Sequence, residues 1–390
     1  MTKHVVVVGA GVIGLSSAIL LQEAGYAVTI VARDFPGPFE TMDPNTKINY
    51  TSPWGGAHNR WVPPHPSLPS HLERDHRFSL RTYDRMKQLH ASHPGTAGIT
   101  FLKGIEYLER PGPEYLALSN DKDPNRDRNP LGLPGFRLLS PSEFPADGRV
   151  TWGCEYDTWC VNPMVYCAFL LRRFVHRGGR VVARELRRPE EVFFLSAADL
   201  LGAVSPIPAA GEGEGVSGKG GKVVTIAAVV NASGTGLVPD PNMTVTRGQT
   251  CVVAEGCDAT VTRQNADGSW TFCVPRGFDG GTVIGGTKEL NNWDTKPSPE
   301  VRRELLSKFT ETYPKILADK GELTVVRDIV GRRPTRDGGP RIEGEMVPGV
   351  GFVMHAYGLG GRGYELSWGA AEAVVEAVET HVRKEPEARL

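Results

Sequence analysis

The first fifty residues alternate between apolar runs and glycines in a regular order. Residues 5–8 are four consecutive valines, the pattern of a parallel strand buried on both faces. A Gly-Ala-Gly-Val-Ile-Gly segment follows at residues 9–14, and residues 12–24 then have the periodicity of a helix. Residues 27–32 form a second apolar run of strand type. This order predicts a strand, a glycine turn, a helix and a second strand packed as one unit.

The rest of the chain repeats both periodicities. Helices are predicted at residues 69–89, 163–176, 301–313 and 364–380, and strands at residues 180–186, 223–230, 250–253, 271–274, 281–286 and 351–356. Rossmann-like elements therefore occur at the start, middle and end of the chain, with strand-rich segments between them. We predict an α/β fold whose Rossmann-like domain (residues 1–50, 150–240 and 330–385) is interleaved with a strand-rich α+β domain (residues 51–149 and 241–329).

The glycine turn fits the G-x-G-x-x-G pattern of dinucleotide-binding proteins. Gly9 allows the tight turn, Gly11 lets the backbone approach a pyrophosphate, and Gly14 lets the helix pack close to the strand. The pyrophosphate would lie on amides at the helix N-terminus, beside Val12 and Ile13, where the helix dipole favours negative charge. Because strand, glycines, helix and second strand stand in the required order, the segment predicts nucleotide binding.

The end of the second strand is less specific about which dinucleotide is bound. Arg33 stands where an acidic residue is usual, and Asp34 follows it. Asp34 suits the hydroxyl groups of a ribose, whereas Arg33 suits a 2′-phosphate. The motif alone therefore leaves both FAD and NADP open.

Composition and charge narrow the function further. The chain has 390 residues, a formal net charge of −1 and a pI near 6.8, which gives no basis for bulk attraction to nucleic acid or anionic lipid. No apolar run reaches the roughly 20 residues that a membrane span needs. The six cysteines form no CxxC pair, so no metal site is predicted, although Cys251 and Cys257 could meet across a turn.

An arginine-rich segment at residues 330–341, VGRRPTRDGGPR, contrasts with this near-neutral charge. Its arginines suit three different roles: a solvated surface turn, a phosphate or nucleic-acid patch, or an anchor for one small anion. The segment itself does not choose among them.

Several motifs together resemble the D-amino-acid oxidase and D-aspartate oxidase family of flavoproteins, over nearly the whole length of the chain. They are VVVVGAGVIGLSSA, SPWGGA (52–57), EYDTW (155–159), VVNASGTG (229–236), RGQT (247–250), VPRG and GGT (within 274–287), VGRRPTR (330–336), GGPR (338–341) and HAYGLGGRGYELSWG (355–369). The resemblance implies non-covalently bound FAD. It implies as cofactor-binding residues Gly9, Gly11, Val12, Ile13, Gly14, Arg33, Asp34, Ser52, Gly55, Gly56, Ala57, Leu186, Ser233, Gly234, Gly358, Gly360, Gly361, Gly363, Tyr364 and Glu365.

The same resemblance implies oxidative deamination of D-amino acids. A hydride passes from the substrate Cα to the flavin, O₂ takes the electrons as H₂O₂, and the imino acid hydrolyses to a 2-oxo acid and ammonia. The implied substrate-binding residues are Arg333, Phe272, Gly361, His58 and Lys288. Arg333 forks onto the α-carboxylate, and a backbone carbonyl near Gly361 receives the amine. Because catalysis in this family is mostly orientation, no side chain is expected to act as a catalytic acid or base.

Two positions depart from the family pattern. Phe272 stands where the family usually has a tyrosine that assists the arginine, and Lys288 stands where animal D-aspartate oxidases have an arginine. Lys288, with Arg60, Arg332 or Arg362 nearby, would favour acidic substrates, whereas an exposed Lys288 leaves a broader oxidase of neutral D-amino acids. A glycine or N-methyl amino-acid oxidase and a non-catalytic flavin-binding protein also remain open.

The last three residues, 388–390, are Ala-Arg-Leu, a variant of the Ser-Lys-Leu tripeptide that a peroxisomal import receptor reads. An enzyme that releases H₂O₂ suits a compartment that holds catalase, so we expect the peroxisomal matrix. The other expected partners are a D-amino acid and O₂, with a homodimer possible and neither nucleic acid nor a membrane expected.

Overall fold

The computed structural model describes residues 3–120, 132–201, 225–318 and 321–384, which form two β-sheets with helices packed against them. The helices are α1 (Val12–Glu23), α2 (Pro44–Asn49), α3 (His71–Ser92), α4 (Pro113–Leu116), α5 (Pro163–His176), α6 (Ala197–Leu201), α7 (Pro299–Thr312) and α8 (Gly363–Lys384). Short 3₁₀ helices lie at Phe39–Thr41, Ser52–Trp54, Pro141–Glu143, Pro189–Phe194, Pro314–Leu317 and Gly360–Arg362. Within the described ranges, no helix combines the length and apolar character needed to cross a membrane.

The strands occur along the whole chain. They are β1 (His4–Val8), β2 (Ala27–Ala32), β3 (Ile99–Leu108), β4 (Arg137–Leu138), β5 (Trp152–Val161), β6 (Arg180–Ala183), β7 (Ile226–Asn231), β8 (Met243–Val253), β9 (Ala259–Gln264), β10 (Trp270–Pro275), β11 (Thr282–Gly285), β12 (Glu289–Leu290), β13 (Val325–Arg336), β14 (Arg341–Val347) and β15 (Gly351–Tyr357).

The first sheet has the order β14-β15-β7-β1-β2-β6, parallel except for the antiparallel pair β14–β15. Val5 and Val7 of its central strand pack into the core that α1 and α8 share, and Val6 and Val8 pack into a second cluster on the opposite face. All four valines are buried. The valine run therefore forms the doubly buried parallel strand that its pattern predicted.

The second sheet has the order β12-β8-β11-β10-β9-β3-β5-β4, with β13 also paired to β8. It is antiparallel except at the pair β3–β9. Helix α7 covers one face, where Cys251, Val261 and Cys273 pack against its Phe309. Phe272 belongs to a separate apolar cluster. Successive side chains of a strand point to opposite faces, so the face that bears Phe272 is turned away from α7.

The arginine-rich segment is mostly a strand. Residues Val325–Arg336 form β13, which pairs with β8 from Val325 opposite Val253 to Arg336 opposite Met243. Pro334 lies within this ladder, opposite Val245. A proline cannot donate to a ladder, but β13 has its ladder on one side only, and an outer strand tolerates the missing N–H.

The predicted fold class is confirmed, and most predicted elements are present with shifted ends. Helix α5 has the predicted bounds, whereas α8 continues to Lys384. Two strands belong to a different sheet from the one that the predicted domain boundaries imply. Both β5 and most of β13 fall in ranges assigned to the Rossmann-like domain, yet they pair in the second sheet, because their ladders with β3 and β8 run along nearly their whole length.

Candidate active site

A cavity of about 370 Å³ lies where the first sheet meets β13. Its walls come from distant parts of the chain, including the glycine turn, the end of β2, the loop after β7 and the start of α8. The predicted cofactor-binding residues that line it are Gly9, Gly11, Val12, Ile13, Arg33, Asp34, Ser52, Leu186, Ser233, Gly234, Gly360 and Gly363. The fold thus brings these separate motifs together around one cavity.

The turn between β1 and α1 depends on very close packing. Gly9 has a φ of +106°, and a methyl group on Gly14 would lie 2.0 Å from the carbonyl oxygen of Gly9. Ser52 Oγ accepts a hydrogen bond from the amide of Val12 at 3.1 Å. Because the first turn of α1 carries no acidic side chain, its partial positive charge faces the cavity uncompensated. This is a suitable cradle for a pyrophosphate.

The residues at the end of β2 answer the question that the sequence left open. Arg33 Nε donates to Asp34 at 2.8 Å, and Arg33 Nη1 donates to Glu185 at 3.4 Å. Asp34 also accepts from Thr46 Oγ1 at 3.2 Å. All of these groups except Thr46 line the cavity. Two carboxylates already neutralise Arg33, and their charge opposes a 2′-phosphate while suiting ribose hydroxyls. The arrangement favours FAD over NADP.

Arg332 and Arg333 are neighbours on β13, so their side chains point to opposite faces of the strand. Arg332 lines the cofactor cavity, where it donates to Asn49 Oδ1 at 3.1 Å and to the carbonyl of Trp293 at 2.6 Å. Its buried Nε has no hydrogen-bond partner among the described residues. A cation with a spare buried donor fits an anionic group such as a pyrophosphate. Neither Arg332 nor Trp293 was predicted to bind the cofactor.

Arg333 is partly buried and lacks an acidic partner. Its Nη1 donates to the carbonyl of Thr287 at 3.1 Å, and it makes no ion pair with any side chain that the structure describes. Burial lowers the pKa of its guanidinium, an effect that Glu289 partly offsets. The carboxylate of Glu289 is itself paired with Arg247 at 2.7 Å. A desolvated cation in this state is costly unless an anion joins it, so Arg333 is suited to bind a carboxylate.

One glycine makes room for this guanidinium, and a second lies beside the same side chain. A methyl group on Gly248, in the neighbouring strand β8, would lie 2.5 Å from the Arg333 guanidinium nitrogens. A methyl group on Gly361 would lie 3.9 Å from Arg333 Cδ. The predicted substrate residues Gly361 and Arg333 are therefore neighbours, and Gly360 beside them lines the cofactor cavity.

The segment 285–287 contacts Phe272 at one end and Arg333 at the other, and Lys288 follows it in the chain. The Phe272 ring packs against Gly285, and a methyl group on Gly56 would lie 3.5 Å from that ring. Thr287 provides the carbonyl that binds Arg333, and Lys288 follows it with an exposed side chain. Phe272 lies opposite Gly285 in the ladder between β10 and β11.

His58 follows the loop that touches Phe272 and is held by a β-bridge to Cys160. Burial, with a smaller effect of Arg60, lowers the pKa of His58 to about 3. Its buried Nδ1 has no hydrogen-bond partner within the described residues. The imidazole is therefore neutral at ordinary pH and has a polar atom available for a ligand.

Two other arginines considered from the sequence are already neutralised. Arg60 stacks on Trp270 at 4.2 Å and lies 3.8 Å from Glu106, and Arg362 pairs with Glu365 at 2.5 Å and with Asp75 at 3.4 Å. They offer no unpaired charge for a substrate. Lys288 makes no ion pair in the described part of the chain and is the better candidate.

Several predicted cofactor residues do not line the cavity: Gly14, Gly55, Gly56, Ala57, Gly358, Gly361, Tyr364 and Glu365. Tyr364 supports a wall, since its hydroxyl donates to the carbonyl of Ser52 at 2.5 Å. Conversely, Tyr50, Thr51 and Arg184 line the cavity without having been predicted. Tyr50 donates to the carbonyl of Ala10 at 2.6 Å and thereby braces the glycine turn. Tyr50 and Thr51 directly precede Ser52, and Arg184 lies two residues before Leu186. This proximity in sequence to predicted cofactor residues could have identified them.

Comparisons with known proteins agree with this geometry. Residues 4–377 match the family of FAD dependent oxidoreductases. A D-aspartate oxidase of Talaromyces thermophilus is 38% identical, covering 100% of this chain and 99% of the relative. A D-amino-acid oxidase of Fusarium vanettenii is 32% identical, covering 97% of each. The solved structure of iminodiacetate oxidase from Chelativorans sp. BNC1 has a TM-score of 0.65 at 17% identity, covering 96% of this chain and 95% of that one.

The fold and the cavity thus define a flavin-dependent oxidoreductase. The chain belongs to the FAD-dependent oxidoreductase family that contains these oxidases, and FAD is its cofactor. The residues present fit that cofactor: the glycine turn and Arg332 suit its pyrophosphate, and Asp34 with Glu185 suits its adenosine ribose.

The low pKa of His58 predicts a specific pH dependence of stability. Between its ordinary pKa near 6.5 and its folded pKa of about 3, only the unfolded chain binds the proton, so stability falls as the pH decreases through this window. We expect the wild type to lose about 1 kcal/mol more unfolding free energy than His58→Gln between about pH 7 and about pH 5, allowing for partial exposure. Denaturant unfolding with excess FAD measures this.

The matched control is His176→Gln, at an exposed position at the end of α5. This control should follow the wild-type pH profile. An identical profile for His58→Gln and the wild type would show that folding leaves the pKa of His58 unchanged.

Proposed function

We propose that the chain oxidises D-amino acids with FAD and O₂. A D-amino acid, O₂ and water become a 2-oxo acid, ammonia and H₂O₂. The observation that carries the proposal is the partly buried Arg333, a cation without an acidic partner in the described structure, whose chain neighbours Arg332 and Pro334 line the cofactor cavity. The D configuration rests on the curated relatives, which are named D-aspartate oxidase and D-amino-acid oxidase.

The protein contributes mainly orientation. FAD, when bound, accepts a hydride and passes the electrons to O₂. Arg333 holds the α-carboxylate through parallel N–H donors that Thr287 leaves free, and this fixes direction as well as position. A backbone carbonyl near Gly361 is our candidate for receiving the amine. The ring of Phe272 fills the wall beside Gly56 and Gly285 and excludes water without adding a donor.

A second candidate is a preference for acidic D-amino acids. Lys288 directly follows Thr287, whose carbonyl accepts a hydrogen bond from Arg333, so a second cation adjoins the residue that contacts the proposed carboxylate anchor. The side chain is exposed and makes no ion pair with a described residue. A substrate with a second carboxylate would supply its partner. The Talaromyces thermophilus relative, named D-aspartate oxidase, is consistent with this candidate.

Removing the carboxylate anchor tests the main proposal. We expect Arg333→Met to lower kcat/KM for D-amino acids by roughly 10²- to 10³-fold, because the carboxylate loses its charged partner, while FAD stays bound. Arg327→Met is the matched control, since Arg327 lies on the same strand in an ion pair with Glu40 at 2.7 Å. A peroxide-coupled assay and the visible flavin absorbance measure both effects. Unchanged kcat/KM in Arg333→Met would refute the assignment.

Gly248→Ala displaces the same guanidinium without removing its charge. The added methyl group would lie 2.5 Å from the Arg333 nitrogens, so we expect a higher KM. Gly256→Ala, where a methyl group meets open space, is the control. Equal kinetics for the two variants would show that the guanidinium does not hold the substrate.

The proposed preference for acidic substrates is tested by removing the positive charge of Lys288. We expect Lys288→Ala to lower kcat/KM for D-aspartate by about three- to tenfold and to leave that for D-alanine unchanged, because a partly solvated ion pair contributes about 1 kcal/mol. Lys87→Ala, at an exposed position on α3, controls for the loss of one positive charge. Equal effects of Lys288→Ala on both substrates would instead favour a general D-amino-acid oxidase.

We further propose that residues 388–390, Ala-Arg-Leu, direct the protein to the peroxisome. They lie outside the described residues. The proposed release of H₂O₂ supports this location, because the peroxisome holds catalase. A fluorescent protein fused ahead of the chain should co-localise with a peroxisomal marker, and removal of the three residues should disperse it. Co-localisation that survives the deletion would contradict the address.

A further inference from the structure

Three thiols gather behind the substrate side of the second sheet. Cys273 Sγ donates to Cys257 Sγ at 3.6 Å, and Cys160 lies close enough for its pKa to respond to Cys257. Cys160 and Cys273 are fully buried, whereas Cys257 is partly exposed. The bridge considered from the sequence, between Cys251 and Cys257, is not formed, and all six cysteines are free thiols. The partner that the fold places beside Cys257 is Cys273.

The geometry places a reactive thiol next to a resolving one. Cys257 lies between β8 and β9, and Cys273 lies on β10 opposite Val261 of β9. The two sulfur atoms are in van der Waals contact, about 1.5 Å farther apart than in a disulfide bond. Bond formation requires the two sulfur atoms to approach by this distance, and Cys257 lies in a connecting segment rather than in a strand. Cys160 is fixed within the interior of β5, whose ladder with β3 holds it in place.

We propose that hydrogen peroxide converts Cys257 and Cys273 into an intramolecular disulfide. The source of the peroxide rests on the proposed function. The Cys257 thiol loses a proton, and its thiolate attacks the peroxide. The O–O bond breaks, a Cys257 sulfenic acid forms, and the leaving hydroxide takes up that proton to become water. The Cys273 thiol then attacks that sulfur and releases a second water. The pair loses two hydrogen atoms, and the peroxide is reduced to water.

The electrostatics agree with this order of reaction. The hydrogen bond from Cys273 is the largest effect on the Cys257 thiol and lowers its pKa, and the backbone amide of Ala259 adds to it. Burial raises the pKa of Cys273 well above its ordinary value and raises that of Cys160 to about 12. Because thiolates are the nucleophiles, Cys257 reacts first and Cys273 resolves it.

The test is peptide mapping by mass spectrometry after blocking of free thiols. Holoenzyme treated with added H₂O₂, in the absence of any substrate, should yield linked peptides containing Cys257 and Cys273, lighter by two hydrogen atoms and separated by dithiothreitol. Cys257→Ser and Cys273→Ala should each abolish the link. Cys251→Ala, a buried cysteine on β8, should retain it. Oxidation of Cys257 to the sulfinic acid without a link, a link to Cys160, or no oxidation at Cys257 would overturn the proposal.

A second arm separates this proposal from the proposed function. The holoenzyme turns over a D-amino acid with and without catalase, and the link should form only without catalase. A link that appears with added peroxide but not during turnover would support the cysteine site and count against peroxide release from that substrate. Peroxide release without a link in either arm would overturn the cysteine site alone.

Discussion

A partly buried cation without an anion is the constraint around which the substrate side of this protein is built. Arg333 lies on the strand that closes the second sheet, and the acid that acts on it, Glu289, is held by Arg247. The cost of desolvating a guanidinium is therefore not recovered within the described protein, and the carboxylate ligand proposed above would recover it. Gly248 leaves space for this group, and the carbonyl of Thr287 orients it.

The second sheet also fixes how cofactor and substrate meet. Because neighbouring side chains of β13 point to opposite faces, Arg332 faces the cavity of the cofactor while Arg333 faces the substrate side. In the function proposed above, one short segment would serve two anions without bringing their charges into the same space. A change in the register of β13 against β8 by one residue would exchange the faces on which the two arginines lie.

Local pattern predicted the elements of the first sheet better than those of the second. The valine run of β1, the turn at Gly9 and the bounds of α5 follow from short-range periodicity and steric rules, and these were right. The strand character of 325–336 was hidden by Pro334, which only its position on an outer strand makes acceptable. The ion pair between Arg362 and Asp75 connects residues that are distant along the chain, so no local sequence pattern could predict it.

The order of strands in the first sheet has a consequence for how the protein is made. The central strand β1 comes from the beginning of the chain, and its neighbour β7 is flanked on the other side by β15, from residues 351–357. The flavin-binding layer thus cannot close until residues 351–357 have left the ribosome. Until then, the apolar edge of β7 lacks its neighbour. An interrupted translation product lacking β15 would present that edge to chaperones and proteases instead of binding FAD.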